Sequence, residues 1–136
     1  MGEDRYPVRG KTQIRVYFAD TDHMGVVYHG VYLTWFEIGR TELMRGRGMA
    51  YAEVERRGLS LPVTEATMRV RLPAHYDELI EVETSVSSLR TREVQFSYQI
   101  RRGGDRLVEG TTNHLIVDKQ TGRAVRLPDW LRDLLC

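Results

Sequence analysis

Residues 92–102, REVQFSYQIRR, alternate apolar and polar side chains: Val94, Phe96, Tyr98 and Ile100 against Glu93, Gln95, Ser97 and Gln99. Period two over that length fits a half-buried strand and no helix, because successive strand side chains point to opposite faces. A strand with one wet face needs neighbours, and the surrounding sequence supplies them. LIEVETSVSSL, residues 79–89, puts Ile80, Val82, Thr84 and Val86 on one face. TMRVRL (67–72), RLVEGTTNHLIVD (106–118) and QIRVYF (13–18) also read as strands, the last with Ile14, Val16 and Phe18 on one side. GGD at 103–105 marks a hairpin. Short turns between consecutive strands imply antiparallel pairing, since parallel neighbours need long crossovers.

The period changes once. From about Val31 to Arg45, Tyr32, Trp35, Phe36, Gly39 and Leu43 recur at three- and four-residue steps and line one stripe of a helix, with Gly46 and Gly48 as stop signals. A mid-helix glycine costs about 1 kcal/mol relative to alanine, so Gly39 predicts close packing against another backbone. AYAEVERRG (50–58) reads as a short second helix, and LPDWLRDLL (127–135), with Pro128 and Asp129 at its start, as a terminal helical turn or two. A long helix with an apolar stripe must bury it against the sheet. The expected class is α+β: a five-stranded, mainly antiparallel sheet wrapped around one long helix. Residues 1–12, polar and carrying Pro7 and Gly10, read as a flexible arm, and residues 13–136 as a single domain.

Composition narrows the functions. Twenty basic and 19 acidic residues leave a net charge of +1, so there is no global electrostatic case for nucleic acid. Cys136 is the only cysteine, which removes intrachain disulfides and cysteine-rich zinc sites. The N-terminal stretch lacks a signal-peptide core, and no run approaches the roughly 18 apolar residues of a membrane span. The expectation is a cytoplasmic protein without stable membrane insertion.

The chemistry concentrates in FADTDHMGVVYHGVYLTWFE, residues 18–37. DTDHMG opens like a calcium loop with Asp20, Asp22 and Gly25 at the first, third and sixth positions. Met24 and Val31 then stand where an acid or amide and the closing glutamate belong, which argues against calcium. His23 and His29 fall outside the spacings of helical metal motifs, so no metal is expected. Aspartates ahead of a helix are natural caps for its free amides, and Asp20 reads as loop or cap. Another reading uses the whole segment. Gly25 allows close backbone approach to a ligand, the helix entrance offers unpaired N–H groups for a developing oxyanion, and a carboxylate there can attack a carbonyl or activate water. His29 would orient the carboxylate or a thioester oxygen, or serve as a structural histidine at the helix start.

YFADTDHMGVVYHGVYLTWFEIGRTELMR (17–45) resembles the signature of the hotdog-fold acyl-CoA thioesterases, in the 4-hydroxybenzoyl-CoA thioesterase group and closest to the bacterial Tol–Pal-associated acyl-CoA thioesterases. GLSLPVTEA, LPAHYDELIEVET and EGTTNHLIVDKQTGRAVRLP extend the resemblance over about residues 13–130. The resemblance implies the hotdog fold and hydrolysis of acyl-CoA to a carboxylic acid and coenzyme A, with no cofactor because coenzyme A is part of the substrate. It implies Asp22 as nucleophile or general base, the His29 amide as the group polarising the thioester, and Gly25 and Tyr28 as flanking site positions. Val31 stands where many relatives have Asn, which makes this pocket more apolar. Glu65 would position water or be a solvated strand residue. Arg90 and Arg92 match basic positions presented to the nucleotide. Glu37 and Arg40 match a Glu-x-x-Arg helix pattern read as a buried or interfacial salt bridge, and His75 and His114 read as structural. The implied assembly is a homodimer or homotetramer with sites at the subunit interface, with acyl carrier protein as a second possible donor. A hydratase or dehydratase on acyl thioesters, and a non-catalytic acyl-CoA-binding protein, stay open at this level.

Overall fold

The computed structural model describes residues 8–136. In chain order its elements are β1 (Arg9–Arg15), a 3-10 turn (Phe18–Asp20), α1 (His29–Gly46), α2 (Tyr51–Arg56), β2 (Leu59–Ser60), β3 (Val63–Val70), β4 (Leu79–Leu89), β5 (Glu93–Arg102), β6 (Asp105–Leu115), β7 (Val117–Asp118) and α3 (Asp129–Leu135). Five strands form one sheet in the order β1-β4-β5-β6-β3, and every pair is antiparallel. The short β2 and β7 pair separately with each other. Although β3 precedes β4 in the chain, it lies at the opposite edge beside β6, so the link between them crosses the sheet.

The alternating faces behave as their pattern predicts. Ile80, Val82, Thr84 and Val86 on β4, and Val94, Phe96, Tyr98 and Ile100 on β5, are all buried. Their polar neighbours are part-exposed on the other face. Gly103, at φ 58°, and Gly104 make the two-residue hairpin loop between Arg102 and Asp105. On α1 the stripe Tyr32, Trp35, Phe36, Gly39 and Leu43 is buried, joined by Met44. The Phe36 ring stacks on Tyr98 at 4.2 Å with planes 6° apart. Gly110 on β6 makes room for that stack, since a Cβ there would stand 2.7 Å from the Phe36 ring.

Several expectations are corrected. The first strand begins at Arg9, inside the expected arm, because Arg9–Thr12 pair with Val82–Ser85 of β4; residues 1–7 lie outside the described residues. Phe18 is 75% exposed, since the chain leaves β1 at Arg15 and turns before Phe18 can face the core. β3 starts at Val63 and ends at Val70, earlier at both ends than the alternation in TMRVRL suggests. Among the described residues, no helix is long and apolar enough to cross a membrane.

Gly39 does pack closely, but against side chains. A Cβ at this position would fall 2.8 Å from Val82 Cγ1 and closer still to Thr84 Oγ1. The Thr84 hydroxyl is buried there without a hydrogen-bond partner. Adding even one carbon must therefore lift α1 off β4. Gly39→Ala is expected to destabilise the fold by about 1–3 kcal/mol despite its better helix propensity. Denaturant unfolding checks this, and a gain in stability would contradict the close seating.

Candidate active site

The route into α1 is a pinched loop. Val16 donates to Glu78 O at 2.9 Å and accepts from Asp77 N at 2.9 Å, fixing the exit from β1. Asp20 then accepts the Tyr17 amide on Oδ2 at 2.9 Å, which closes the 3-10 turn. Thr21 and Val27 form an isolated antiparallel bridge. Inside it, Asp22 N donates to Val26 O at 2.8 Å, and Met24 N donates to Asp22 Oδ1 at 2.7 Å in an Asx turn. Gly25 sits at φ 82° with open space where a side chain would be. Its role is therefore the positive φ that closes the turn.

Neither aspartate caps α1, contrary to the capping expectation. Tyr28 occupies the N-cap position without a side-chain bond, and the first turn contains no acid. Among the described residues the amides of His29 and Gly30 have no acceptor, whereas Val31 N bonds back to Tyr28 O at 2.9 Å. The Tyr28 ring folds over this end: a Cβ on Gly30 would meet it at 2.8 Å, and it lies 4.4 Å from the His29 ring. Asp22 Oδ2 also accepts no hydrogen bond among the described residues. The loop thus carries a carboxylate with one oxygen pinned and one free, on a hairpin leading into an uncapped helix start. The exposed Phe18, Met24, Tyr28 and Tyr76 give this end of the molecule an apolar rim, with Phe18 and Tyr76 meeting edge to face at 5.6 Å.

The other candidates separate. Asp22, Gly25, Tyr28 and His29 share this segment. Val31, the third residue of α1, is part-buried against the core. Glu65 faces away from α1: it accepts from Asn113 Nδ2 at 2.7 Å, at the end of a ladder running from Ser97 through Ser87, Gln95 and Asn113. Strand alternation decides this, since His114, next to Asn113, points inward. Arg90 and Arg92 are exposed on the β4–β5 turn, at the far end of β4 from the Asp22 loop. Sequence reading missed the support beneath the loop. Val27 N donates to Ala74 O, Ala74 N donates to Tyr32 Oη at 3.0 Å, and Val26 bridges His75. Burial pulls the Glu78 carboxyl upward, but the His75 amide and Arg102 outweigh it, holding Glu78 below the usual range. Residues 73–78 carry no periodicity that would have announced this.

The sequence profile of the thioesterase-like superfamily matches residues 16–135. The chain belongs to this superfamily. It is 34% identical to the YneP protein of Bacillus subtilis over 125 residues, covering 88% of this chain and 91% of that one. It is 33% identical to the acyl-CoA thioesterase YbgC of Haemophilus influenzae, covering 85% of each. The structure matches the DHNA-CoA thioesterase of Staphylococcus aureus with a TM-score of 0.86 and 31% identity, covering 92% of this chain and 85% of that one. The five-stranded antiparallel sheet against one long helix is the hotdog fold.

Beneath α1 this hotdog domain buries a polar chain whose direction follows from its far end. His114 Nδ1 lies 2.9 Å from Leu61 O, which can only accept, so Nδ1 carries the proton and donates. Burial, with Arg40 adding to it against the pull of the Leu61 carbonyl, lowers the His114 pKa to about 4, so the ring is neutral and Nε2 must accept. The donor is Thr112 Oγ1 at 2.8 Å. With that proton committed, Thr112 accepts from Tyr98 Oη at 2.6 Å, and Tyr98 in turn accepts from Arg40 Nη1 at 3.4 Å. Burial raises the Tyr98 pKa, which keeps its phenol protonated as this chain requires. Arg40 is therefore turned toward Tyr98, and among the described residues it forms no salt bridge with Glu37, contrary to expectation.

The sign of the pH effect is fixed. Unfolding frees an imidazole of ordinary pKa near 6.5 from one held at about 4, so the unfolded state takes up the proton first as pH falls. This contribution is full above the unfolded value, lost between the two values, and constant below both. Lowering the pH from 6.5 to 5 is expected to remove about 1.5 kcal/mol of stability through this group. Chemical denaturation of the wild type and His114→Gln, which retains a donor and an acceptor, should show a shallower loss in the variant. Equal slopes would contradict a neutral buried His114.

Proposed function

We propose that this chain hydrolyses acyl-CoA thioesters, converting acyl-CoA and water to a carboxylic acid and free coenzyme A. The observation that carries this reading is Asp22, one oxygen held by the Met24 amide and the other unpaired, on the hairpin that leads into the uncapped start of α1. The relationship to YbgC supports the reaction class. In the proposed mechanism the His29 and Gly30 amides stabilise negative charge developing on the thioester oxygen. Asp22 either attacks the carbonyl carbon, expelling the coenzyme A thiolate and leaving an anhydride that water opens, or takes a proton from water as that water attacks. The leaving sulfur takes up a proton, and both routes give the same products.

The proposed working unit contains a second copy. β3 is an edge strand whose residues are exposed except for Met68, which is part-buried, with Val63 at 46% and Val70 at 43%. Such an edge offers unpaired backbone groups to another strand. Antiparallel pairing of two β3 strands about a twofold axis would reverse the ends of the sheet. β4 runs from Leu79, near the Asp22 loop, to Leu89 before Arg90; its eleven residues span about 34 Å at a strand's usual rise. The twofold would bring the second copy's Arg90 and Arg92 toward the first copy's Asp22 end, where they suit the phosphates of coenzyme A. Acyl carrier protein, which presents the same kind of thioester, is a further candidate donor.

Asp22→Asn is the direct test. Asparagine keeps an Oδ1 acceptor for the Met24 amide, so the loop should persist while nucleophile and base are lost. Thiol release is expected to fall by about two to four orders of magnitude, with the melting temperature nearly unchanged. Wild-type turnover in that variant would sink the mechanism. A second measurement concerns the nucleotide: Arg90→Ala combined with Arg92→Ala should raise KM for acyl-CoA about tenfold or more while leaving kcat much less affected. An unchanged KM would remove both arginines from the site.

A further inference from the structure

α1 has a second ridge, beside its buried stripe and meeting it at Met44. Leu33, Glu37, Arg40 and Met44 recur at three- and four-residue steps and line two openings in series. The outer one, about 270 Å³, lies between Leu33, Thr34 and the inner face of β3 at Val63 and Ala66. The inner one, about 120 Å³, runs past Met44 to Tyr51, Leu61 and Phe96. Glu37 and Arg40 line both, so they stand where one opening passes into the other. The outer opening starts at Leu33, four residues beyond His29 and about 6 Å along the helix axis. An acyl group attached at the start of α1 and lying along this ridge would enter it.

Arg40 is turned toward the sheet. Its guanidinium meets Tyr98 Oη, whose own proton is committed to Thr112. Glu37 is exposed and, among the described residues, has no ion-pair partner. A saturated chain passing between them would strip water from a carboxylate and a guanidinium and return no hydrogen bond to either. Glu37 lies eight residues past His29, about 12 Å along the axis. An extended chain advances about 1.2 Å per bond, so roughly ten bonds reach this point.

We propose that Glu37 and Arg40 form a polar gate across the acyl channel, which limits this protein to acyl groups of about ten carbons or fewer. The proposal rests on the thioester-hydrolase reading above and names the residues that set its substrate range. Leu33 and Val63 line the outer opening and Met44 and Phe96 the inner one; the remaining polar lining is neutral, hydroxyl groups and the uncharged His114, so Glu37 and Arg40 are the only charged side chains along either opening.

The test compares octanoyl-CoA and palmitoyl-CoA, read as free thiol, in the full-length wild type and in a Glu37→Leu, Arg40→Met double variant. Both charges are removed together so that neither is left facing the channel alone. The Tyr98–Thr112–His114 chain keeps all its donors in that variant. The wild type should favour octanoyl-CoA in kcat/KM by about tenfold or more, and the double variant should raise the palmitoyl-to-octanoyl ratio by about tenfold or more. Glu37→Leu alone should move the ratio the same way by a smaller factor, and it carries the test if the double variant does not fold. A wild type that accepts both chains equally, or a ratio unmoved by either variant, overturns the gate and leaves the hydrolase reading standing. Release of thiol from neither substrate nor from shorter acyl-CoAs would defeat the hydrolase reading, and the gate with it.

Discussion

Everything at the site depends on how closely α1 lies on β4. The contact is made at Gly39, where the helix has no side chain and Val82 and Thr84 fill the space. Around that point the rest follows. Phe36, three residues before it, stacks on Tyr98. Arg40, one residue after it, reaches the Tyr98 hydroxyl. The start of α1 is set by the same seating, because Tyr32, one turn in, accepts the Ala74 amide and ties the helix to the segment between β3 and β4 that supports the Asp22 hairpin. A helix held farther from the sheet would lose the ring stack, the polar chain and the alignment of its first turn together. The unpartnered hydroxyl of Thr84 is a local cost of this closeness.

The site combines order and openness in a small space. Asp22 is held through its backbone, its Asx turn and the flanking Thr21–Val27 bridge, yet one carboxylate oxygen stays free. The helix start behaves similarly: Tyr28 shields it sideways while its first amides keep no acceptor. Groups arranged in this way need little reorganisation when charge develops nearby, which is the usual source of electrostatic catalysis.

The fold was legible where one periodicity dominated. β4 and β5 declared their buried faces residue by residue, and the α1 stripe named its core contacts. Phe18 failed because alternation says which face a residue would take within a strand, not where the strand stops. β2 and β7 are two residues each, too short to carry a period. The crossing of β3 to the far edge is a property of the whole sheet and leaves no local mark. At the site, the resemblance singled out Asp22, and the loop glycine Gly25 stood out for its conformational freedom; the structure places both on one hairpin ahead of α1. The caps were not legible, because Asp20 and Asp22 have the composition of helix caps but bond to Tyr17 and Met24. Glu65 turned on which side of β3 it occupies, and the register shift between Val63 and Glu65 hides that in the sequence. Glu37 and Arg40 looked like a salt bridge because helix spacing permits one; Tyr98, 58 residues away, competes for the arginine.

The one-way polar chain also says what evolution can do with this core. Its polarity is set by a backbone carbonyl, Leu61 O, that no point mutation can turn into a donor. Position 114 must therefore offer a donor to that carbonyl and an acceptor to its neighbour, and positions 112 and 98 must each relay one proton in the same sense. At the open end, position 40 accommodates a donor or an apolar group but opposes an acceptor such as a carboxylate, which would compete with Thr112 for the proton of Tyr98. Sequence drift at these four positions should be correlated and directional, with reversal requiring several simultaneous changes.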